Sequence, residues 1–279
     1  METDGFAPAK INLCLHVIGQ RPDGYHLLDS LVVFADIGDR LQAAPSETMT
    51  LDLAGPFGAD IPAGEDNLVM RAARAMDAVP MRITLEKHLP PASGIGGGSS
   101  DAAATLRLLA RLTGRALPKP EQVLALGADV PACLLAAPLR LQGIGERLEP
   151  LRLGPPVWAV LANPRAEVST PAVFRALTRK DNRPMPPRIP AFADARALAL
   201  WLADQRNDLE APAIAVLPSI AAVLSALSAT GQCLLARMSG SGATCFGIYP
   251  DEAAAREAEA DLRAQRPGWW IAACRFALS

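Results

Sequence analysis

The sequence is short of several things, and each shortage removes a class of protein. Its 279 residues include three histidines and five cysteines (Cys14, Cys133, Cys233, Cys245 and Cys274), with no Cys-x-x-Cys pair. Without a Cys/His cluster a structural zinc site has no ligand set. An odd, scattered set of thiols is no disulfide framework and suits a reducing, cytoplasmic setting. Most lie among apolar neighbours and read as buried, inert thiols. Aromatic residues are 5% of the chain, the formal net charge is −2, and no run of like charge occurs. A nucleic acid or an acidic membrane surface would find no complementary face, and no feature calls for an obligate protein partner. The uncharged stretch 211–236 is broken by Pro212, Pro218 and Gly231, whereas a membrane-spanning helix needs about 20 unbroken apolar residues. A core helix opening near Pro218 and stopping at Gly231 fits it better. The first residues, Met-Glu-Thr-Asp-Gly, are acidic with no apolar run behind them, so no signal peptide is read there.

What is present is half hydrophobic, enough for one large or two smaller packed domains; two are expected, since single cores stop growing near this length. The chain is organised around Leu89-Pro-Pro-Ala-Ser-Gly-Ile-Gly-Gly-Gly-Ser-Ser-Asp-Ala-Ala-Ala104. An alternating run, Met81 to Glu86, leads in as a strand, and an apolar run, Ala102 to Leu112, leads out as a helix. A glycine loop between strand and helix lets backbone N–H groups surround an anion at the positive end of the helix. A polyphosphate site is the reading, because a flexible linker would not sit tightly between two such elements.

Elsewhere the pattern alternates strands and helices. Phe6 to Gly19 is a strand with one buried face, on whose other face Lys10 and Asn12 lie roughly 6.6 Å apart. Pro22-Asp23-Gly24 is a turn, followed by strands at Leu31–Phe34 and Asp39–Ala43, and by one at Thr48–Leu53. Asn67 to Ala78 has helical spacing with Asp66 or Asn67 as cap. Pro120 to Leu126 is a short helix, and 139–148 a hairpin. The second half reads as a strand at Val157–Ala162, a helix opening at Pro171, helices at 193–203 and 218–229, and a strand at 234–237. A second glycine loop at Met238–Ala243 follows, then a strand, an amphipathic helix at 252–264 and a closing strand, an α+β layer. The four prolines at 184, 186, 187 and 190 suggest a mobile surface loop over 181–190.

Some residues stand out chemically. Lys10 is a lone cation on an otherwise uncharged strand. Asp129, in Gly127-Ala-Asp-Val-Pro131, is a lone acid in an apolar run, and on spacing alone it either caps the next short helix or faces a polar cleft. Tyr25 and His26 follow a turn and offer a stacking ring and an imidazole, or simply cover a core edge. Lys87 precedes the glycine loop and either reaches phosphate or is solvated.

The glycine loop is not a P-loop, since no lysine follows its glycines, and it lacks the third glycine of a dinucleotide fingerprint. No His-Arg-Asp motif follows, so it is no protein-kinase loop. Pro90 to Ala103 instead resembles the ATP-binding motif of the GHMP kinases, named after galactokinase, homoserine kinase, mevalonate kinase and phosphomevalonate kinase. Pro8-Ala-Lys-Ile-Asn-Leu, Gly19-x-Arg-x-Asp-Gly-Tyr-His26, Gly127-Ala-Asp-Val-Pro131 and Met238-Ser-Gly-Ser-Gly-Ala-Thr-Cys-Phe246 are similar to further blocks of one member. That member phosphorylates the 2-hydroxyl of a methylerythritol carried on cytidine diphosphate, in the non-mevalonate route to isoprenoids. The match runs in order along nearly the whole chain.

The resemblance implies an α+β, two-lobed GHMP kinase fold. A ribosomal S5 domain 2-like lobe would span 1–153 and a ferredoxin-like lobe 154–279, with the active site in the cleft between them. It implies ATP and Mg²⁺ as cofactors, with Pro90, Pro91, Ala92, Ser93, Gly94, Ile95, Gly96, Gly97, Gly98, Ser99 and Ser100 around ATP, and Ser99 or Ser100 near Mg²⁺. Asp129 becomes the base and Lys10 its cationic partner. Tyr25 and Phe174 would sandwich cytosine while His26 reads its edge, with Asn12 and Thr170 also on the substrate. Pro91-Ala-Ser93 departs from the family's glycine-rich loop start, and Asp101 is expected to face away from phosphate. The alternative within the family is a homoserine or mevalonate type.

Overall fold

The structure, a computed structural model, describes residues 4–279. The chain forms two compact units, each built from several segments: Met1–Lys10, Ile37–Pro91 and Gly96–Ala136 make the first, and Ile11–Asp36, Ala92–Ile95 and Ala137–Ser279 the second. Two long strands, β1 (Asp4–Gln20) and β2 (His26–Pro45), run through both.

In the first unit β2 pairs antiparallel with β4 (Met81–Glu86), from Arg40 opposite Glu86 to Pro45 opposite Met81. Strand β3 (Thr50–Ala54) runs parallel to β4. Parallel neighbours need a crossover, supplied by a 3-10 turn at Gly58–Asp60 and α1 (Leu68–Ala75). Asn67 caps α1 by accepting from Val69 N at 2.9 Å. Helix α2 (Gly97–Thr113) packs on α1 and on α4 (Val130–Leu135), with α3 (Pro120–Leu126) between α2 and α4 in sequence. Gly114 ends α2 in the left-handed region, at φ 69°.

In the second unit β7 (Val157–Asn163) lies between β10 (Trp270–Ala277) and β9 (Cys245–Tyr249), both antiparallel to it. Strand β8 (Leu235–Met238) pairs with β9, and β10 with β2 at Ala35 and Phe34. The hairpin β5 (Leu139–Gly143) and β6 (Arg147–Pro150) joins β2 at Leu28–Val32. Helices α5 (Thr170–Ala176), α6 (Ala195–Ala203), α7 (Glu210–Val216), α8 (Ser219–Ala229) and α9 (Glu252–Gln265) complete it. Val160, Val173, Ile220, Val223, Leu227 and Leu262 are among its apolar core. No described helix is long and apolar enough to cross a membrane.

Several expectations change. The two strands expected at 31–34 and 39–43 are one strand, β2. Gly38 is no break: a Cβ there would stand 2.1 Å from the Ala7 carbonyl oxygen, so its glycine lets β1 approach. Strand β1 is buried on both faces from Ala7 to Val17, not on one. Helix α2 begins within the glycines, at Gly97 rather than Ala102. Helix α7 was not expected because Pro212 reads as a breaker, but it stands in the first turn, where proline is tolerated.

The proline segment 181–190 is not a free surface loop either. Asp29, fully buried, receives Arg140 Nε and Nη2, each at 2.7 Å, and Met185 N at 2.8 Å. Arg140 then donates to the carbonyls of Met185, Pro186 and Pro187 at 3.1–3.3 Å. Proline cannot donate, but its carbonyl accepts, and a guanidinium supplies the donors. Arg140→Met is therefore expected to strand a buried carboxylate, lowering stability by about 3–5 kcal/mol. It should also open 181–190 to limited proteolysis; an unchanged denaturation midpoint with no new cleavage would contradict this anchoring.

Candidate active site

The start of α2 is the first unit's open polar feature. Gly96 is its N-cap at φ 65°, and no side chain caps the helix, so the N–H groups of its first turn have no intrahelical partner. A Cβ on Gly96 would stand 3.1 Å from Lys10 Cβ and 3.3 Å from Lys10 Cε. Glycine here serves both the left-handed backbone and the lysine stem laid against it. Lys10 Nζ reaches Asp129 Oδ2 at 2.7 Å, the two side chains being 5% and 39% exposed. Asp129 occupies the N-cap position of α4, but its side chain makes no cap hydrogen bond; it turns to the lysine instead. Ser99 belongs to the same neighbourhood, for a Cβ on Gly127 would lie 3.8 Å from Ser99 Oγ. The first unit thus gathers Lys10, Asp129, Ser99 and the glycine start of α2. Ser100 points elsewhere, donating to the Pro8 carbonyl at 2.7 Å.

Lys87 is not a solvated lysine. It is 2% exposed and donates to Asp39 Oδ2 at 2.5 Å and to Asp101 Oδ2 at 2.7 Å. Asp39 also accepts from the backbone N–H of His88 and Leu89, at 2.6 and 2.8 Å. Asp101 is likewise buried, 3% exposed. The triad ties β2 and the end of β4 to α2 just past its first turn. Burial works against the Lys87 ammonium, yet the charges of Asp101 and Asp39 outweigh it and hold its pKa above the ordinary value. Burial pushes the Asp101 carboxyl up to about 8, with the Asp39 charge adding to the shift and Lys87 opposing it.

The second unit holds the loop's middle and the other sequence-identified residues. Ala92, Gly94 and, across the unit boundary in sequence, Gly96 have positive φ; Ala92 takes this conformation without being glycine. Gly94 packs so closely on the second glycine turn that a Cβ would stand 2.5 Å from the Gly242 carbonyl oxygen. Thr244 N donates to the Ser93 carbonyl at 3.0 Å, and Ser239 Oγ to the Gly94 carbonyl at 3.2 Å. Ser239 Oγ also receives Asn12 N at 3.1 Å. His26 stacks on Phe174 with ring centroids 4.6 Å apart and planes 23° from parallel. Partial burial, then the Lys180 charge, lower its pKa, which keeps the ring neutral, and its Nε2 is buried without a partner. Tyr25 is 61% exposed. Thr170, one turn before Phe174 on α5, meets Ser241 Oγ at 2.7 Å. Sequence reading missed Ser30, Ser239 and Ser241, though the last two lie in a glycine loop it had singled out. The thiols of Cys14 and Cys133 are pushed up to about 12 by burial, consistent with inert side chains.

Two family descriptions match the chain, GHMP kinases N terminal domain over residues 67–137 and GHMP kinases C terminal over 189–268. A Cereibacter sphaeroides (strain ATCC 17025 / ATH 2.4.3) protein named 4-diphosphocytidyl-2-C-methyl-D-erythritol kinase is 60% identical over 276 residues, 99% of either chain. The chain belongs to the GHMP kinase family. A Paracoccus denitrificans (strain Pd 1222) relative of the same name is 55% identical, with 97% of this chain and 96% of the relative covered. A crystal structure titled 4-(cytidine 5'-diphospho)-2C-methyl-D-erythritol kinase has a TM-score of 0.81 at 36% identity, covering 98% of this chain and 99% of that one. A homoserine kinase from Cytophaga hutchinsonii, at 17% identity and TM-score 0.66, shares the fold. The α+β architecture is that of the family, as the motifs implied.

Asp101 carries a prediction about stability. Its pKa is about 8 folded against 3.8 as a free side chain, so the folded state holds a proton that the unfolded state releases between these values. The stability linked to it is complete below the lower value and is lost as pH rises through the upper one. Asp101→Asn, which cannot ionise, should therefore gain stability relative to the unsubstituted protein from near pH 5 to near pH 8 in urea denaturation. A difference independent of pH would show that Asp101 is ionised throughout.

Proposed function

We propose that the protein transfers the γ-phosphoryl group of ATP to the 2-hydroxyl of 4-diphosphocytidyl-2-C-methyl-D-erythritol, in non-mevalonate isoprenoid precursor biosynthesis in the cytoplasm. One observation carries the reading beyond the relatives' names: a lysine–aspartate pair stands beside an uncapped helix start whose glycines leave its N–H groups open. That is a phosphate cradle with a base and a cation at its edge. In this reading Pro90 to Ser100 enclose the nucleotide, and the N–H groups of Gly97, Gly98 and Ser99 receive phosphate oxygens. Lys87 acts behind the cradle, holding α2 in place through Asp101.

ATP supplies the phosphoryl group, and Mg²⁺ carried on its phosphates neutralises their charge. Among the described residues no group of three or more His, Cys, Asp or Glu side chains is placed to hold a metal, and nucleotide-borne Mg²⁺ needs only one or two protein oxygens beside the phosphates. Ser99 is the serine for that role, since Ser100 is committed to Pro8. Asp129 accepts the proton of the attacking hydroxyl, and Lys10, 2.7 Å from it, offsets charge on the moving group. Tyr25 and Phe174 stack on the cytosine, while neutral His26, packed on Phe174, turns its unpaired Nε2 to the base edge. Such stacking tolerates any base, so the choice of cytosine falls to His26. Asn12 and Thr170 contact the rest of the substrate.

The test is phosphotransfer from ATP across three alcohols, the cytidyl compound, mevalonate and homoserine. Turnover confined to the cytidyl compound is expected, and His26→Ala should raise its KM roughly tenfold or more, the loss of one buried hydrogen bond and its ring contact. Phosphorylation of mevalonate or homoserine without the cytidyl compound would overturn the assignment.

A further inference from the structure

The hydrogen bonds around Asn12 have a direction that the atoms themselves fix. Ser30 Oγ lies 2.6 Å from the Cys14 carbonyl oxygen. A carbonyl only accepts, so the single hydroxyl proton of Ser30 sits on that bond. The Ser30 oxygen is then an acceptor toward Asn12, 2.8 Å away, and the half of the amide facing it must be NH₂. A flipped amide would set oxygen against oxygen there. The Asn12 side-chain oxygen is thereby turned away from Ser30, and it has no partner although Asn12 is 97% buried, its exposure being 3%. An unpaired buried acceptor is costly. Next to it stands Gly240, where a Cβ would lie 3.3 Å from Asn12 Oδ1; being glycine, it sets no side chain against that oxygen.

We propose that Ser30 is a positioning residue. It locks the Asn12 amide so that Oδ1 is presented as an acceptor to a hydroxyl of the substrate's polyol. The inference rests on the kinase reading above and sharpens it. At this position the site takes a hydrogen-bond donor, an alcohol, and repels a phosphate oxygen, which has no proton to give. Ser30 touches no substrate; it acts through Asn12, itself held from the backbone side by Ser239.

The test uses the full chain with Ser30→Ala, Ser30→Thr, Asn12→Ala and the double variant Ser30→Ala/Asn12→Ala. Ser30→Ala should raise KM for the cytidyl alcohol roughly 3- to 10-fold, the effect of one misdirected hydrogen bond, while KM for ATP stays within twofold. Ser30→Thr, which keeps the hydroxyl, should restore it. With Asn12 already alanine, Ser30→Ala should add nothing, because its effect passes through the amide. An unchanged KM for the alcohol in Ser30→Ala, or an equal further loss on the Asn12→Ala background, would overturn the proposal. The Asn12 side-chain NH₂ signals, read by NMR without substrate, separate this from the functional assignment. Slow exchange that is lost in Ser30→Ala supports the lock even if the unsubstituted protein fails to phosphorylate the cytidyl alcohol, and signals that Ser30→Ala leaves unchanged refute it.

Discussion

A buried ammonium must find a counter-charge, and much of the first unit follows from how Lys10 meets that need. Its side chain is 95% buried, 5% being exposed, and its partner Asp129 lies 2.7 Å away at the head of α4. The natural use of an aspartate there is to cap the helix, a contribution of about 1 kcal/mol. Asp129 forgoes it. The lysine stem also needs room, which Gly96 gives by having no side chain and by taking a left-handed conformation at the start of α2. A helix opened by glycines and left uncapped is a poor helix start and a good phosphate cradle. The local costs and the proposed chemistry concern the same few atoms.

These costs are met by rigid surroundings. Lys87, Asp39 and Asp101 form a second buried charge cluster behind the first turn of α2. Because removing Lys87 from such a cluster leaves a buried carboxylate uncompensated, the arrangement resists distortion more than it adds net stability. In the second unit the same logic is carried by backbone: Gly94 and Gly242 approach where no Cβ would fit, and Ser239 bridges Asn12 and Gly94. The 181–190 segment is held by the Asp29–Arg140 pair, so its prolines stiffen an anchored strap.

Much of this was legible in the sequence, and the misses have physical reasons. Strand β4 and helix α3 begin and end where alternation and Pro120 put them, because both are short elements with strong local signals. Asp129 and Lys10 were each ambiguous, as a lone charge on a strand or before a helix has an ordinary explanation; their pairing depends on a separation of 119 residues that no local pattern encodes. The continuity of β2 is not legible locally, because a glycine such as Gly38, which admits a neighbouring backbone, looks the same in sequence as one that breaks a strand. Lys87 reads equally as a phosphate contact or a solvated side chain, and Asp101 as an acid facing away from phosphate, because their burial together depends on Asp39, 48 residues from Lys87 in sequence. Ser30 carried no sequence signal at all: its role is the direction of one hydrogen bond.

The measurement that bears most directly on the central claim is single-turnover phosphotransfer by Asp129→Asn beside the affinity for a non-hydrolysable ATP analogue. Asparagine keeps the shape and loses the basicity and charge. If Asp129 takes the proton of the attacking hydroxyl while the α2 cradle holds phosphate independently, the rate should fall by roughly 10²- to 10⁴-fold with analogue affinity little changed. A rate within a few-fold of the unsubstituted protein would contradict the account.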